Sequence, residues 1–120
     1  MEIATYRPLT PDDMQALCEI INAGNAHDGL RMVMDVDELS EEIGPPLTDL
    51  AADTLGAFTG GALVAAVWNQ YLPSDVGQER CYVFGTVHPT VRRHGIGGEL
   101  LAWGVDRADA LLSSGANDQP

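Results

Sequence analysis

The 120-residue sequence contains no lysine, and its six arginines face eighteen aspartates and glutamates, for a formal net charge of −12. Nucleic-acid binding requires a broad basic face, so this balance argues against nucleic acid as the main partner. Anionic membranes are disfavoured for the same reason. The absence of lysine also excludes a nucleoside-triphosphate P-loop, whose GxxxxGK pattern requires that residue.

Cysteines and long apolar runs are also scarce. Cys18 and Cys81 lie far apart without CxxC spacing, which favours two buried thiols over a disulfide or a metal pair. The longest apolar stretch, Ala62 to Trp68, is too short to span a bilayer, and the N-terminus lacks the regions of a signal peptide. We therefore expect a cytoplasmic protein.

What is present is typical of one globular domain: 45% of the residues are apolar and 20% are charged. We expect this domain to occupy residues 1–115 and the polar residues 116–120 to form a disordered tail. Residues 1–53 carry twelve of the eighteen acidic groups and two arginines, which gives this segment a charge of −10 by subtraction.

The first half of the chain predicts a strand followed by helices. Residues 3–9 favour a short strand, and Thr10 followed by Pro11 and two aspartates is typical of a helix start. Apolar residues at helical spacing then predict a helix that ends within residues 22–25. A second, acidic helix is predicted over residues 35–43, and residues 47–52 suggest a short turn.

The second half has the character of a sheet. Strands are predicted at 54–59, 62–72 and 80–87, with a Gly60-Gly61 hairpin turn and a polar loop at 73–79. A last helix is predicted over 98–112, with its cap near Gly115. The order β-α-α-β-β-β-α predicts an α/β (α+β) fold with a mixed, mostly antiparallel sheet flanked by helices.

The most informative segment lies between the last strand and the last helix. Residues 87–98 read Val-His-Pro-Thr-Val-Arg-Arg-His-Gly-Ile-Gly-Gly, which puts two of the six arginines beside three glycines. A glycine turn leading into a helix N-terminus offers unpaired N–H groups and the positive end of the helix dipole. We therefore predict an anion-binding site here.

Arg92-Arg93-His94-Gly95-Ile96-Gly97 resembles the Arg/Gln-x-x-Gly-x-Gly/Ala pattern of the GCN5-related N-acetyltransferases. Val87-x-Pro89 before it and Glu99-Leu100-Leu101 after it lie at that family's offsets. The resemblance covers residues 84–101 by motif and about the whole chain by topology. The dinucleotide fingerprint GxGxxG fits poorly, because Leu100 stands at its third glycine.

The resemblance implies that acetyl-CoA, or another acyl-CoA, binds with its diphosphate over this loop. It also implies that the pantetheine arm pairs with the strand ending at Val87, whose backbone would polarise the thioester carbonyl. Arg92 would act mainly through its backbone, leaving the side chain of Arg93 or His94 to face the phosphates. The cofactor-binding residues expected on this basis are Val87, Arg92, Arg93, His94, Gly95, Ile96, Gly97 and Gly98.

The chain departs from the family after its last helix. A complete member continues with a strand, a helix and two further strands, so the resemblance implies an acyl-CoA N-acyltransferase fold lacking its C-terminal strands. The following helix usually supplies the tyrosine proposed as acid, and strand 81–87 has no inward acidic residue, so no catalytic residue is assigned. We expect a homodimer, or completion of the sheet by another domain or subunit.

Two functions follow. The first is an acyl-CoA-dependent N-acyltransferase acting on a primary amine of a small molecule or peptide; the alternative is a non-catalytic acyl-CoA-binding or scaffold half-domain. The acidic segment that includes Asp28, Asp35, Asp37 and Glu38 serves either solubility or attraction of a cationic amine. His88 and His94 lack a third ligand at known spacing, so no metal is expected.

Overall fold

The computed structural model describes residues 4–44, 48–72, 80–92 and 95–117. Its helices and strands follow the predicted order, with one additional short helix before the second strand. In chain order these are β1 Thr5–Arg7, α1 Met14–His27, α2 Val36–Glu42, α3 Leu50–Asp53, β2 Thr54–Thr59, β3 Ala62–Leu72, β4 Arg80–Val87 and α4 Ile96–Asn117. Short 3-10 turns lie at Pro11–Asp13 and Pro89–Val91. Within the described ranges, no helix has the length and apolar character needed to cross a membrane.

The four described strands form one antiparallel sheet in the order β1-β2-β3-β4. The predicted β2–β3 hairpin is confirmed: Gly60 and Gly61 connect the two strands with φ angles of 55° and 83°. Two consecutive positive φ angles match the tight turn that joins twisted antiparallel strands, and they favour glycine at both positions. The fold class expected from the sequence is therefore confirmed.

Alternation along β3 divides the core between the two faces of the sheet. Ala66 and Trp68 pack with residues of α1 and α2, including Leu17 and Leu39. Val67 faces the other way, into a second cluster with α4 residues such as Leu100. The sheet is thus covered by α1 and α2 on one face and by α4 on the other.

Predicted boundaries of β1, α1 and α4 differ from the structure. β1 ends at Arg7, because Pro8 has no N–H to donate and the N–H of Leu9 bonds instead to the Thr54 hydroxyl, at 2.8 Å. α1 continues past residues 22–25 to His27, since the Asn22 side chain bonds both the N–H and the C=O of Met34 and does not compete for the helix backbone.

The last helix is longer than predicted at both ends. It begins at Ile96, two residues early, because Gly95 at φ 85° makes the turn into it. It also continues through Gly115 to Asn117, so the expected cap near Gly115 is wrong. A single glycine costs a helix only about 1 kcal/mol, which is too little to end one of this length. The division at residue 115 itself stays a prediction.

α4 approaches the sheet closely at Gly104. A Cβ at this position would lie 2.7 Å from Val67 Cγ2 and 2.9 Å from Val83 Cγ1. Polar contacts hold α4 at the same level: the Asn69 amide donates to the Gly104 carbonyl at 3.3 Å, and Arg107 Nε lies 2.8 Å from Asp53 Oδ1. Helix and sheet are therefore in contact where the helix has no side chain.

We predict that Gly104→Ala lowers the free energy of unfolding by about 1–3 kcal/mol, because the added methyl group must displace two packed valines. Chemical denaturation measures the change. Gly98→Ala, on the same helix with no atom within 4 Å of the added Cβ, is the control and should not lower stability. Equal stabilities for the two variants would contradict the close packing.

Candidate functional site

The N-terminus of α4 presents backbone amides beside the end of β4. Among the described residues, the N–H of Glu99 makes the first hydrogen bond of the helix, to the Gly95 carbonyl at 3.1 Å. The amides of Ile96, Gly97 and Gly98 precede this bond and are among those that a helix cannot satisfy internally. Together with the helix dipole, they form a site suited to a phosphate or carboxylate.

The glycines keep this amide group accessible. A Cβ at Gly97 would lie 3.3 Å from Val87 Cγ2, so a larger side chain there would fill the gap between helix and strand. Gly98 faces open space, with no atom within 4 Å of a Cβ built on it. Gly95 has a φ of 85°, which side chains rarely adopt. Each glycine thus contributes either access or backbone shape.

The side chain of Arg92 is held by contacts with other residues of the protein. Its guanidinium contacts both carboxylate oxygens of Asp28, at 3.0 and 3.3 Å, and its Nε donates to the Val87 carbonyl at 3.3 Å. The ion pair holds the pKa of Asp28 below its usual value and raises that of Arg92. The Arg92 side chain therefore links the end of α1 to the loop after β4.

A second contact ties α4 to the first strand. The Tyr6 hydroxyl donates to the Glu99 carboxylate in the first turn of α4. This hydrogen bond, with smaller effects of burial and of the Glu99 charge, raises the pKa of Tyr6 to about 12. The pair also keeps the Glu99 carboxylate on the β1 side of the helix.

A cavity of about 710 Å³ extends along β4 from the α4 N-terminus to α2. Gly97, Val87 and Arg92 line one part of it. Its remaining lining residues come mainly from α1, α2, β3, β4 and the first turns of α4. They are Ile21, Gly24, Asn25, Asp28, Met34, Leu39, Glu42, Ala66, Val67, Trp68, Val83, Phe84, Gly85, Thr86, Leu100 and Leu101.

Both faces of β4 contribute to this cleft. Phe84 pairs with Trp68 across the strands and lies on the α1 face, with the two rings stacked at a centroid distance of 5.9 Å. Val83 and Val87 lie on the α4 face. The cleft therefore surrounds the outer edge of β4, which has no strand partner among the described residues.

The structure brings together part of the predicted site. Val87, Arg92 and Gly97 line the cavity, and Gly95 and Gly98 lie next to it in the chain. Ile96 is 6% exposed and belongs to the core between α4 and the sheet, so its backbone alone is available to a ligand. Arg93 and His94 lie outside the described residues.

Other contributors were not predicted as binding residues. Met34, Leu39 and Glu42 reach the cleft because α2 packs on the sheet, and no motif in the sequence indicates this. Trp68 and Phe84 also form part of the cleft wall, whereas Tyr82 does not line the cavity. The buried-thiol prediction is confirmed for Cys18, whereas Cys81 is partly exposed.

Solved structures share this architecture. A GCN5-related N-acetyltransferase from Sphaerobacter thermophilus is 23% identical, with a TM-score of 0.74 over 92% of this chain and 33% of its own. An acetyltransferase from Clostridium acetobutylicum, solved with acetyl-CoA, is 18% identical, with a TM-score of 0.69 over 90% of this chain and 75% of its own.

An acetyltransferase from Salmonella typhimurium, solved with its cofactor acetyl-CoA, is 20% identical, with a TM-score of 0.71 over 89% of this chain and 64% of its own. The fold is that of the GCN5-related N-acetyltransferases. The chain thus spans only part of each of these proteins, and only a third of the Sphaerobacter protein. No protein-family model and no curated protein matches the sequence.

We predict that Glu99→Gln lowers the pKa of Tyr6 from about 12 towards its ordinary value of 10.0, because the phenol loses its charged acceptor. Ultraviolet absorbance of the phenolate during a pH titration measures this. Asp106→Asn, which removes an exposed carboxylate from the same helix, is the control and should leave the titration unchanged.

The Tyr6–Glu99 hydrogen bond also makes the free energy of unfolding depend on pH. Folding raises the pKa of Tyr6, so the hydrogen bond to Glu99 stabilises the folded state fully below pH 10. This stabilisation is lost as the pH rises towards about 12. The difference in unfolding free energy between the parent protein and Glu99→Gln should therefore shrink over that range. A difference that grows with pH would contradict the assignment.

Proposed function

We propose that the chain binds acetyl-CoA, or another acyl-CoA, in the cleft along β4 and serves in transfer of the acyl group to a primary amine. The observation that carries this proposal is the N-terminus of α4, where Gly97 lines a cavity of about 710 Å³ beside Val87. Two structures with the same fold contain acetyl-CoA, which supports the choice of ligand.

The residues present fit such a ligand. The amides of Ile96, Gly97 and Gly98 would hold the diphosphate, and the outer edge of β4 offers backbone groups to the amide-containing pantetheine arm. Apolar side chains such as Val83, Val87 and Leu101 line this part of the cleft. Arg92 would shape the loop, since its guanidinium is already bound by Asp28.

Acyl transfer would form a C–N bond as the thioester C–S bond breaks, with the amine proton passing to a base or to water and the thiolate taking up a proton. The cleft would contribute mainly by holding amine and thioester together, which is worth about 7–11 kcal/mol in favourable cases. Among the described lining residues, the titratable groups are Asp28, Glu42 and Arg92. Asp28 is a poor base because Arg92 lowers its pKa.

The same observation supports a second candidate, a non-catalytic acyl-CoA-binding or scaffold half-domain. None of the described lining residues on β4 is a carboxylate or a histidine that could act as a base. In this case another domain or subunit would supply the acid and the base. Titration calorimetry with acetyl-CoA and thiol release with mixed amines separate the two, because binding without turnover selects the half-domain.

We further propose that another copy of the chain, or another domain, covers the outer edge of β4 beyond the part that the ligand occupies. An uncovered edge strand is prone to pair with other chains. We also propose a cytoplasmic location for the protein. A sharply monomeric species in sedimentation would contradict self-association.

We predict that Gly97→Glu weakens acetyl-CoA binding at least about 100-fold, equivalent to about 2.7 kcal/mol, because it places bulk and negative charge between α4 and Val87. Titration calorimetry measures the affinity. Ala102→Glu adds the same charge at an exposed position of α4 outside the cavity, and should retain affinity. Unchanged affinity in Gly97→Glu would refute the assigned pocket.

A further inference from the structure

Glu42 lies at the end of the cleft remote from the α4 N-terminus. The side-chain amide of Gln70 donates to the Glu42 carbonyl at 3.0 Å, and Gln70 pairs with Tyr82 across β3 and β4. Val87 is five residues further along β4, which corresponds to about 16 Å at the rise of a strand. Glu42 and the proposed diphosphate site thus mark opposite ends of one cavity.

Among the described residues that line the cleft, Glu42 carries a charge that no ion pair compensates. Of the two carboxylates in the cavity wall, Asp28 is neutralised by the bidentate contact with Arg92. In the described ranges, no arginine is ion-paired with Glu42, and the neighbouring helix positions Asp37, Glu38 and Glu41 add negative charge. The potential at this end of the cleft therefore attracts a cation.

The wall between the two ends is apolar. Phe84 and Trp68 provide stacked rings on the sheet side, and Ile21, Met34 and Leu39 face them from α1, α2 and the segment between these helices. Phe84 is 41% exposed, so part of its ring is available to a ligand. A charged or strongly polar group held against this wall would lose hydration without gaining a partner.

We propose that the acceptor is a long α,ω-diamine: one amine reacts beside β4, an apolar spacer lies on Phe84 and Trp68, and the distal ammonium binds Glu42. This rests on the proposed function. If the thioester lies between Gly85 and Val87, the spacer must cover about 10–16 Å of strand measured from Tyr82. Short diamines cannot reach both ends, and a monoamine leaves Glu42 without a partner.

Direct binding to the full chain tests the proposal without requiring turnover. We expect 1,8-diaminooctane to bind more tightly than octylamine, 1,4-diaminobutane and spermidine in titration calorimetry. Spermidine matches its length but has a central ammonium. Glu42→Gln should weaken binding of 1,8-diaminooctane about fivefold, as for a partly exposed ion pair, and leave octylamine within about twofold.

Matched variants separate the contacts from general effects. Glu41→Gln removes a neighbouring charge outside the cavity wall and should leave binding of 1,8-diaminooctane within about twofold. Phe84→Leu should weaken the diamine and octylamine alike, whereas Tyr82→Leu, on the same face of β4 but outside the wall, should weaken neither.

The proposal is overturned if octylamine or spermidine binds as well as 1,8-diaminooctane, or if Glu41→Gln and Glu42→Gln have equal effects. Titration of the same preparation with acetyl-CoA gives an independent result. Diamine selectivity that depends on Glu42 without acetyl-CoA binding would support the acceptor site and contradict the proposed function. Acetyl-CoA binding without that selectivity would support the proposed function and contradict the diamine acceptor site.

Discussion

The contact between α4 and the sheet at Gly104 determines where the rest of the candidate site lies. With the helix axis held against Val67 and Val83, the α4 N-terminus comes beside Val87 at the end of β4. A larger residue at position 104 would move the amides of the first turn of α4 away from that strand. The positions of the amide group and of the cleft thus depend on one helix–sheet distance.

Ion pairs fix the parts around this contact. Arg107 holds α4 to Asp53, Arg92 holds the loop after β4 to the end of α1, and Arg7 holds β1 to Asp13 at the start of the first helical segment. In the described ranges, these three arginines serve as internal links. Only the Arg107–Asp53 pair has a partner side chain less than 10% exposed, so it is screened least by solvent.

Local signals predicted most of the fold because strand alternation, the Gly60-Gly61 turn and the Thr10-Pro11 helix start each lie within a few residues of the structure they produce. Helix ends were predicted less well. Asn22 favours a helix end in isolation, but its side chain binds Met34, which is twelve residues away, and tertiary contacts of this kind do not show in a local pattern.

The same distinction applies to the site. Val87, Gly95, Gly97 and Gly98 belong to one continuous motif and could be located from sequence. Glu42 and Leu39 reach the cleft by packing of α2, and the partner of Arg92 is 64 residues away, so spacing along the chain could not reveal them. The sequence thus predicted the part of the cleft formed by the continuous segment between β4 and α4. It did not predict the part formed by residues from α1 and α2.

The connectivity of the sheet has a consequence for how the chain folds. β2, β3 and β4 are consecutive and pair with their chain neighbours, whereas β1 pairs with β2 across about fifty residues, Thr5 opposite Phe58. Closing that long loop costs entropy before it gains any contact. We therefore expect the three-stranded meander and α4 to form early in folding, with the N-terminal strand and its tyrosine joining them last.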